Sequence, residues 1–256
     1  MMKLNSEKLK LAFSFPPATK TIALICVAVF IVEIISGYLI PIPELPIPLA
    51  PFLQYSFGLY LPTLLQGAFW QPLTYGFMHG SWIHLGLNLF TLLFFGSAVE
   101  RLTGTKYYWK LFLLSSIIGG LGWMLCDYFE PYFWNWIQGF PYGIFQRLAQ
   151  NWGEHQIPGQ PYNICIGASA GVFGLIGAFT ALCPRQRLTI FLLYIFPVKM
   201  QARYMALLLM FITLFDLILS TGHVAHAAHL FGGIVGYLLV KRTLWRTRQT
   251  LKRDRP

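Results

Sequence analysis

Apolar residues fall along this chain in blocks separated by short polar stretches. The blocks are Thr21 to Ile40, Leu73 to Ala98, Tyr107 to Tyr128, Ile164 to Leu182, Arg203 to Ser220 and Ala225 to Val240. Each approaches the ~20 residues that an α-helix needs to cross a bilayer. The pattern predicts six transmembrane helices. The proline-rich run from Pro41 to Pro51 ends the first, because repeated proline cannot continue a helix. Phe52 to Trp70 is aromatic and leucine-rich but broken by Gly58 and Pro62, so it reads as a membrane-embedded or interfacial loop. Phe129 to Asn163 reads as a long loop with short helical pieces. Leu188 to Pro197 is apolar but short, and reads as a segment on the membrane surface.

The expected fold class is an all-α membrane protein. It divides into an N-terminal segment (1–20), one six-span domain (21–241) with long outer loops at 41–72 and 129–163, and a basic tail (242–256). Met1 to Lys20 lacks the layout of a signal peptide, so the first span is expected to stay in place. Composition agrees. Hydrophobic residues make up 56% of the chain and charged residues 11%, against about 25% charged in soluble domains.

Charge sets the orientation. The formal net charge is +10, but the basic residues sit in short clusters between apolar blocks and in the tail. That distribution marks topology, not a nucleic-acid surface. With the N-terminus inside, all 19 Lys and Arg except Arg147 fall on the inner side. Both termini are therefore expected in the cytoplasm, in a bacterial-type inner membrane. The four cysteines Cys26, Cys126, Cys165 and Cys183 lie in or beside apolar blocks without CxxC spacing, as small buried hydrophobes do.

With this topology spans two, four and six run in the same direction, and each carries polar residues in its outer half. Counting about 1.5 Å per residue from Arg101, Arg185 and Lys241 puts Asn88 about 20 Å, Ser169 about 24 Å and His229 about 18 Å from the inner side. Polar groups at similar depth in a bilayer face a cavity or one another. A serine hydroxyl becomes nucleophilic when a base takes its proton, and an imidazole is suited to that task. His84 and Asn88 are spaced i, i+4 and both carry N–H donors, which suits them to a developing oxyanion. No carboxylate lies at this level on these spans, since Glu33 and Asp216 belong to others, so the pattern is a Ser–His dyad. Gly167, Gly171, Gly174 and Gly177 on span four, and Gly232, Gly233 and Gly236 on span six, are the small residues that let two helices approach closely.

These residues resemble the rhomboid intramembrane serine proteases. The second span carries His79, then His84-Leu-Gly-Leu-Asn88. The nucleophile motif stands as Gly167-Ala-Ser169, followed by Phe173-Gly174-Leu175. The base motif stands as Ala228-His229 before Gly232 and Gly236. The resemblance runs over all six spans in order. It implies Ser169 as nucleophile, His229 as general base, His84 and Asn88 as oxyanion stabilisers, and a structural or water-ordering role for His79. It further implies cleavage of transmembrane protein substrates within the bilayer, near their outer ends, with no cofactor and no metal. One departure stands out: the family has glycine directly after the serine, and this chain has Ala170.

Other readings compete. His226, one turn before His229, is a rival base, but it lies nearer the outer surface and lacks the glycine-rich sequel. The histidines together raise a metal or haem site, yet there is no HExxH motif and no carboxylate at their depth. A transporter would be expected to show an internal repeat or an intramembrane acidic relay. A silent rhomboid-like protein that only binds membrane proteins would lack the serine or the base.

Overall fold

The computed structural model describes residues 15–39, 49–138, 164–192, 196–219 and 225–253. The first apolar block forms α1 (Pro17–Leu39). Its first turn is capped from elsewhere in the chain. Glu100 is buried, and its carboxylate accepts from the backbone N–H groups of Ala18 and Thr19 at 2.9 and 2.7 Å and from the Thr19 hydroxyl at 2.8 Å. The first N–H groups of a helix have no intrahelical acceptor, and a carboxylate suits the positive end of the helix dipole. Thr105 Oγ1 donates to the same carboxylate at 2.9 Å.

The segment read as a loop after the first span contains short helices, α2 (Leu49–Phe57), α3 (Leu61–Leu65) and α4 (Gln71–Thr74), then a 3-10 turn at Tyr75–Phe77. Gln71 is fully buried and ties them together. Its amide donates to the Tyr55 carbonyl at 2.9 Å, and its side-chain oxygen accepts from Thr63 Oγ1 at 2.9 Å. Leu59 and Cys165 exchange both backbone hydrogen bonds, at 2.9 and 3.0 Å. The Tyr75 hydroxyl donates to the Ser116 carbonyl at 2.5 Å. This loop is thus fastened to the segment that leads to Ser169.

The second span starts at Trp82, not Leu73. It is α5 (Trp82–Thr103), with a π-helical turn at Leu92–Gly96. Ser81 stops it earlier, because its hydroxyl accepts the His84 backbone N–H at 3.1 Å and caps the helix. The block expected as the third span is α6 (Thr105–Gln138), which continues as helix past Tyr128, so the expected loop does not begin at Phe129. The block expected as the fourth span gives a shorter helix: α7 covers only Ser169–Leu182. Residues 164–168 are not helical, because Cys165 pairs with Leu59 and Gly167 turns the chain at φ +121°. The expected surface segment is a β-hairpin, β1 (Arg187–Leu192) antiparallel to β2 (Phe196–Gln201), with Arg187 opposite Gln201. A chain with this hairpin is mostly, not wholly, helical. Then come α8 (Ala202–Leu219) and α9 (His226–Arg253), which carries the expected tail onward as helix.

Among the described residues three helices are long and apolar enough to cross a membrane: Pro17–Ser36 of α1, α5, and Thr105–Phe129 of α6. α7 and Ala202–Phe215 of α8 are apolar but shorter. α7 is buried along nearly its whole length and packs between α6 and α9. The approach is glycine-dependent. A methyl on Gly236 would strike the Gly174 carbonyl oxygen, one on Gly232 the Ala170 carbonyl, and one on Gly177 the Gly233 carbonyl. Not every glycine of this stretch faces α9. A Cβ on Gly171 would meet Ser116 Oγ at 2.5 Å and the Phe112 ring at 2.6 Å, so Gly171 admits α6. Gly167 lies outside the helix and faces His84 of α5 rather than α9. Residues 139–163 of the expected loop Phe129–Asn163, with His155, and residues 220–224, with His223, lie outside the described residues.

Candidate active site

Ser169 is the first residue of α7 and His229 lies in the first turn of α9. Gly232 and Gly236 bring these helix ends together. The result is a distance of 2.8 Å between Ser169 Oγ and His229 Nε2. In this arrangement an imidazole can accept a hydroxyl proton. Ser169 sits where the helix has N–H groups without an intrahelical acceptor: the first such bond runs from Val172 N–H to Ala168 C=O at 3.0 Å.

The imidazole is held from the side. Phe173, one turn after Ser169, stacks on the His229 ring with centroids 4.4 Å apart and planes 4° from parallel. The rival His226 meets the His229 ring edge-on at 6.2 Å. Among the described residues no carboxylate hydrogen-bonds the His229 ring; its contacts include Ser169, Phe173 and His226.

Gly167 makes room for the second helix. Its φ of +121° is a conformation that side chains disfavour. A Cβ there would also stand 2.7 Å from Cε1 and Nε2 of His84, and 3.8 Å from Ser169 Oγ. His84 therefore presents its ring edge to the space beside the serine. Asn88 is buried one turn along α5, and its amide donates to the His84 carbonyl at 3.0 Å. One amide hydrogen is thus occupied in this structure.

His79 is not on α5 with His84, as the span boundary implied. It lies in the extended link before Ser81, buried, with its ring centroid 5.1 Å from that of His84. Its Nδ1 lies 3.2 Å from the Phe77 carbonyl, which can only accept, so Nδ1 carries the proton there. Its backbone N–H donates to Glu33 of α1 at 3.1 Å. The Ala170 methyl, the departure from the family pattern, is buried and points at Gly119 of α6; a Cβ on Gly119 would come within 2.9 Å of it. It fills space between helices rather than crowding the serine hydroxyl. Among the described residues no three His, Cys, Asp or Glu side chains gather as a metal site would need.

Two contacts were missed in the sequence. Phe173 follows Ser169 at i+4, so helix periodicity placed it on the same face. Glu33 stood out as the one acidic residue of its span, but nothing local to it pointed to His79.

The Rhomboid domain family model matches residues 66–246, the greater part of the chain and the whole of this site. The chain belongs to the rhomboid family. It is 30% identical over 162 residues to the "Rhomboid protein 1, mitochondrial" of Saccharomyces cerevisiae, covering 63% of this rhomboid and 38% of the yeast protein. It is 28% identical over 162 residues to the "Rhomboid-like protease 3" of Toxoplasma gondii, covering 63% of this chain and 48% of that one. The rhomboid chain thus matches less than half the length of either curated relative.

Proposed function

We propose that this rhomboid is an intramembrane serine endopeptidase that cleaves transmembrane segments near their outer ends. The observation that carries this reading is the 2.8 Å contact between Ser169 and His229. Ser169 attacks the scissile carbonyl as His229 takes its proton, and His229 then returns a proton to the leaving amine as the C–N bond breaks. Water, deprotonated by His229, then attacks the Ser169 ester, releasing the acid product and restoring the Ser169 hydroxyl. His84, Asn88 and the Ser169 N–H stabilise the oxyanion, with the free backbone groups at the start of α7 adding to the favourable field. His79 acts as a structural or water-ordering neighbour of His84.

The reading includes six spans with both termini in the cytoplasm. Support comes from the one-sided placement of Lys and Arg and from the length of the apolar blocks. The bilayer itself and transmembrane proteins are the partners. The sequence points to a bacterial-type inner membrane; the yeast and Toxoplasma relatives add no support for that compartment. The Toxoplasma relative, named a protease, is consistent with peptidase activity.

The test is cleavage of a transmembrane peptide bearing a helix-destabilising residue near its outer end, in proteoliposomes. Wild type cuts it. Ser169→Ala and His229→Ala lose at least about 10³-fold in rate, the scale on which removing a nucleophile or its base acts. Undiminished cleavage by both variants rejects the dyad.

A further inference from the structure

Glu33 has no place in the chemistry above and lies outside the matched family domain. It sits on α1, is 5% exposed, and belongs to a helix long and apolar enough to span the bilayer. A carboxyl group inside a membrane is costly and is kept where it has a task. One oxygen accepts the His79 backbone N–H at 3.1 Å; the other accepts from Gln54 Nε2 of α2 at 3.4 Å. Glu33 therefore joins three parts of the molecule: α1, the short helices after it, and the link before α5.

That link is short. The 3-10 turn ends at Phe77 and α5 starts at Trp82, so His79 lies five residues before His84 with only the Ser81 cap between. The His79 ring is fixed by its own Nδ1 on the Phe77 carbonyl and packs against the His84 ring. Movement of the His79 backbone would be passed to the His84 ring and to the first turn of α5. The N–H of His79 has no helix or strand partner to fall back on, since it lies between elements. Without an acceptor it would be left buried and unpaired, which the link would relieve by moving.

We propose that Glu33 is a positioning residue for the oxyanion-stabilising side of the site, acting through the His79 backbone upon His84. This rests on the peptidase reading above. What Glu33 supplies is an acceptor atom at one place, so its charge is not the requirement.

The experiment compares Glu33→Gln and Glu33→Met with wild type, in full-length protein in proteoliposomes, on the same transmembrane peptide. Gln keeps an oxygen for the His79 N–H, and Gln54 can turn its amide to match. Met removes the acceptor. It has room, because a cavity of about 410 Å³ lined by Val29, Leu53, Phe77 and Met78 borders Glu33. Glu33→Met is expected to lower kcat about tenfold with KM unchanged, the signature of an interaction made in the transition state. Glu33→Gln is expected to stay within about twofold of wild type, well inside the margin that a lost acceptor would exceed.

A purely structural role is separated by a cycle with His84→Ala. If Glu33 acts through His84, Glu33→Met adds no further loss in the His84→Ala background. A full tenfold loss in that background, or equal loss in Glu33→Gln, overturns the proposal. So does wild-type kcat in Glu33→Met. The peptidase reading fails separately, if wild type leaves the peptide uncut or if Ser169→Ala cuts it at the wild-type rate.

Discussion

Ser169 and His229 are 2.8 Å apart because two backbones approach where no side chain stands between them. At this scale Gly167 is the most exacting position. Gly167→Ala combines a disfavoured φ with a contact on the His84 ring. We expect its cleavage rate to fall about 10²-fold, as small displacements of catalytic groups do, and a rate near wild type would remove Gly167 from the site. Asn88→Ala removes a proposed oxyanion donor and should lower kcat by about 10²-fold or more with little change in KM. A rise in KM alone would make Asn88 a binding residue instead. Much of this was legible in the residues. The order of His84, Asn88, Ser169 and His229, with the charge pattern, predicts them at one depth, and the structure has Ser169 and His229 in hydrogen-bond contact. The link from Glu33 to His79 was not legible, because it joins segments with no shared periodicity.

At the scale of elements, the helix contacts follow glycine placement more closely than hydrophobicity. Gly232→Val and Gly236→Val should separate α7 from α9, lowering both thermal stability and cleavage, because each side chain meets backbone that cannot turn away. Gly86→Ala is the control. It lies on an exposed face of α5 with nothing within 4 Å of its added methyl. It should leave cleavage intact, and stability unchanged or up to about 1 kcal/mol higher. Melting curves and initial rates on the same preparations decide both. Element boundaries were less legible than element identity. The apolar pattern cannot tell that Ile164 to Ala168 leaves the helix, because a strand bridge to Leu59 and a positive φ at Gly167 override apolar continuity. Nor does it reveal the hairpin at Arg187–Gln201, where a short apolar run fits strand and surface helix alike.

For the whole molecule, the membrane orientation is the claim on which the function depends. The proposed orientation would put Ser169 near the outer face and the basic tail inside. Single cysteines introduced at Lys3 and Arg255, with the four native cysteines replaced, should react with impermeant maleimide only after the membrane is opened. One at Arg147 should react without that step. Reaction of Lys3→Cys and Arg147→Cys from the same side would rule out the six-span arrangement. The family match covers the site but not α1, so the first span, with its Glu100 cap and its Glu33 contact, is where this chain's own sequence adds most. The central claim is that Ser169 is a nucleophile activated by His229. The most direct measurement is mass-spectrometric mapping of a fluorophosphonate adduct on the purified protein in bilayers. The adduct should sit on Ser169, and be absent in Ser169→Ala and in His229→Ala. An adduct on another residue, or one on Ser169 undiminished in His229→Ala, would contradict it.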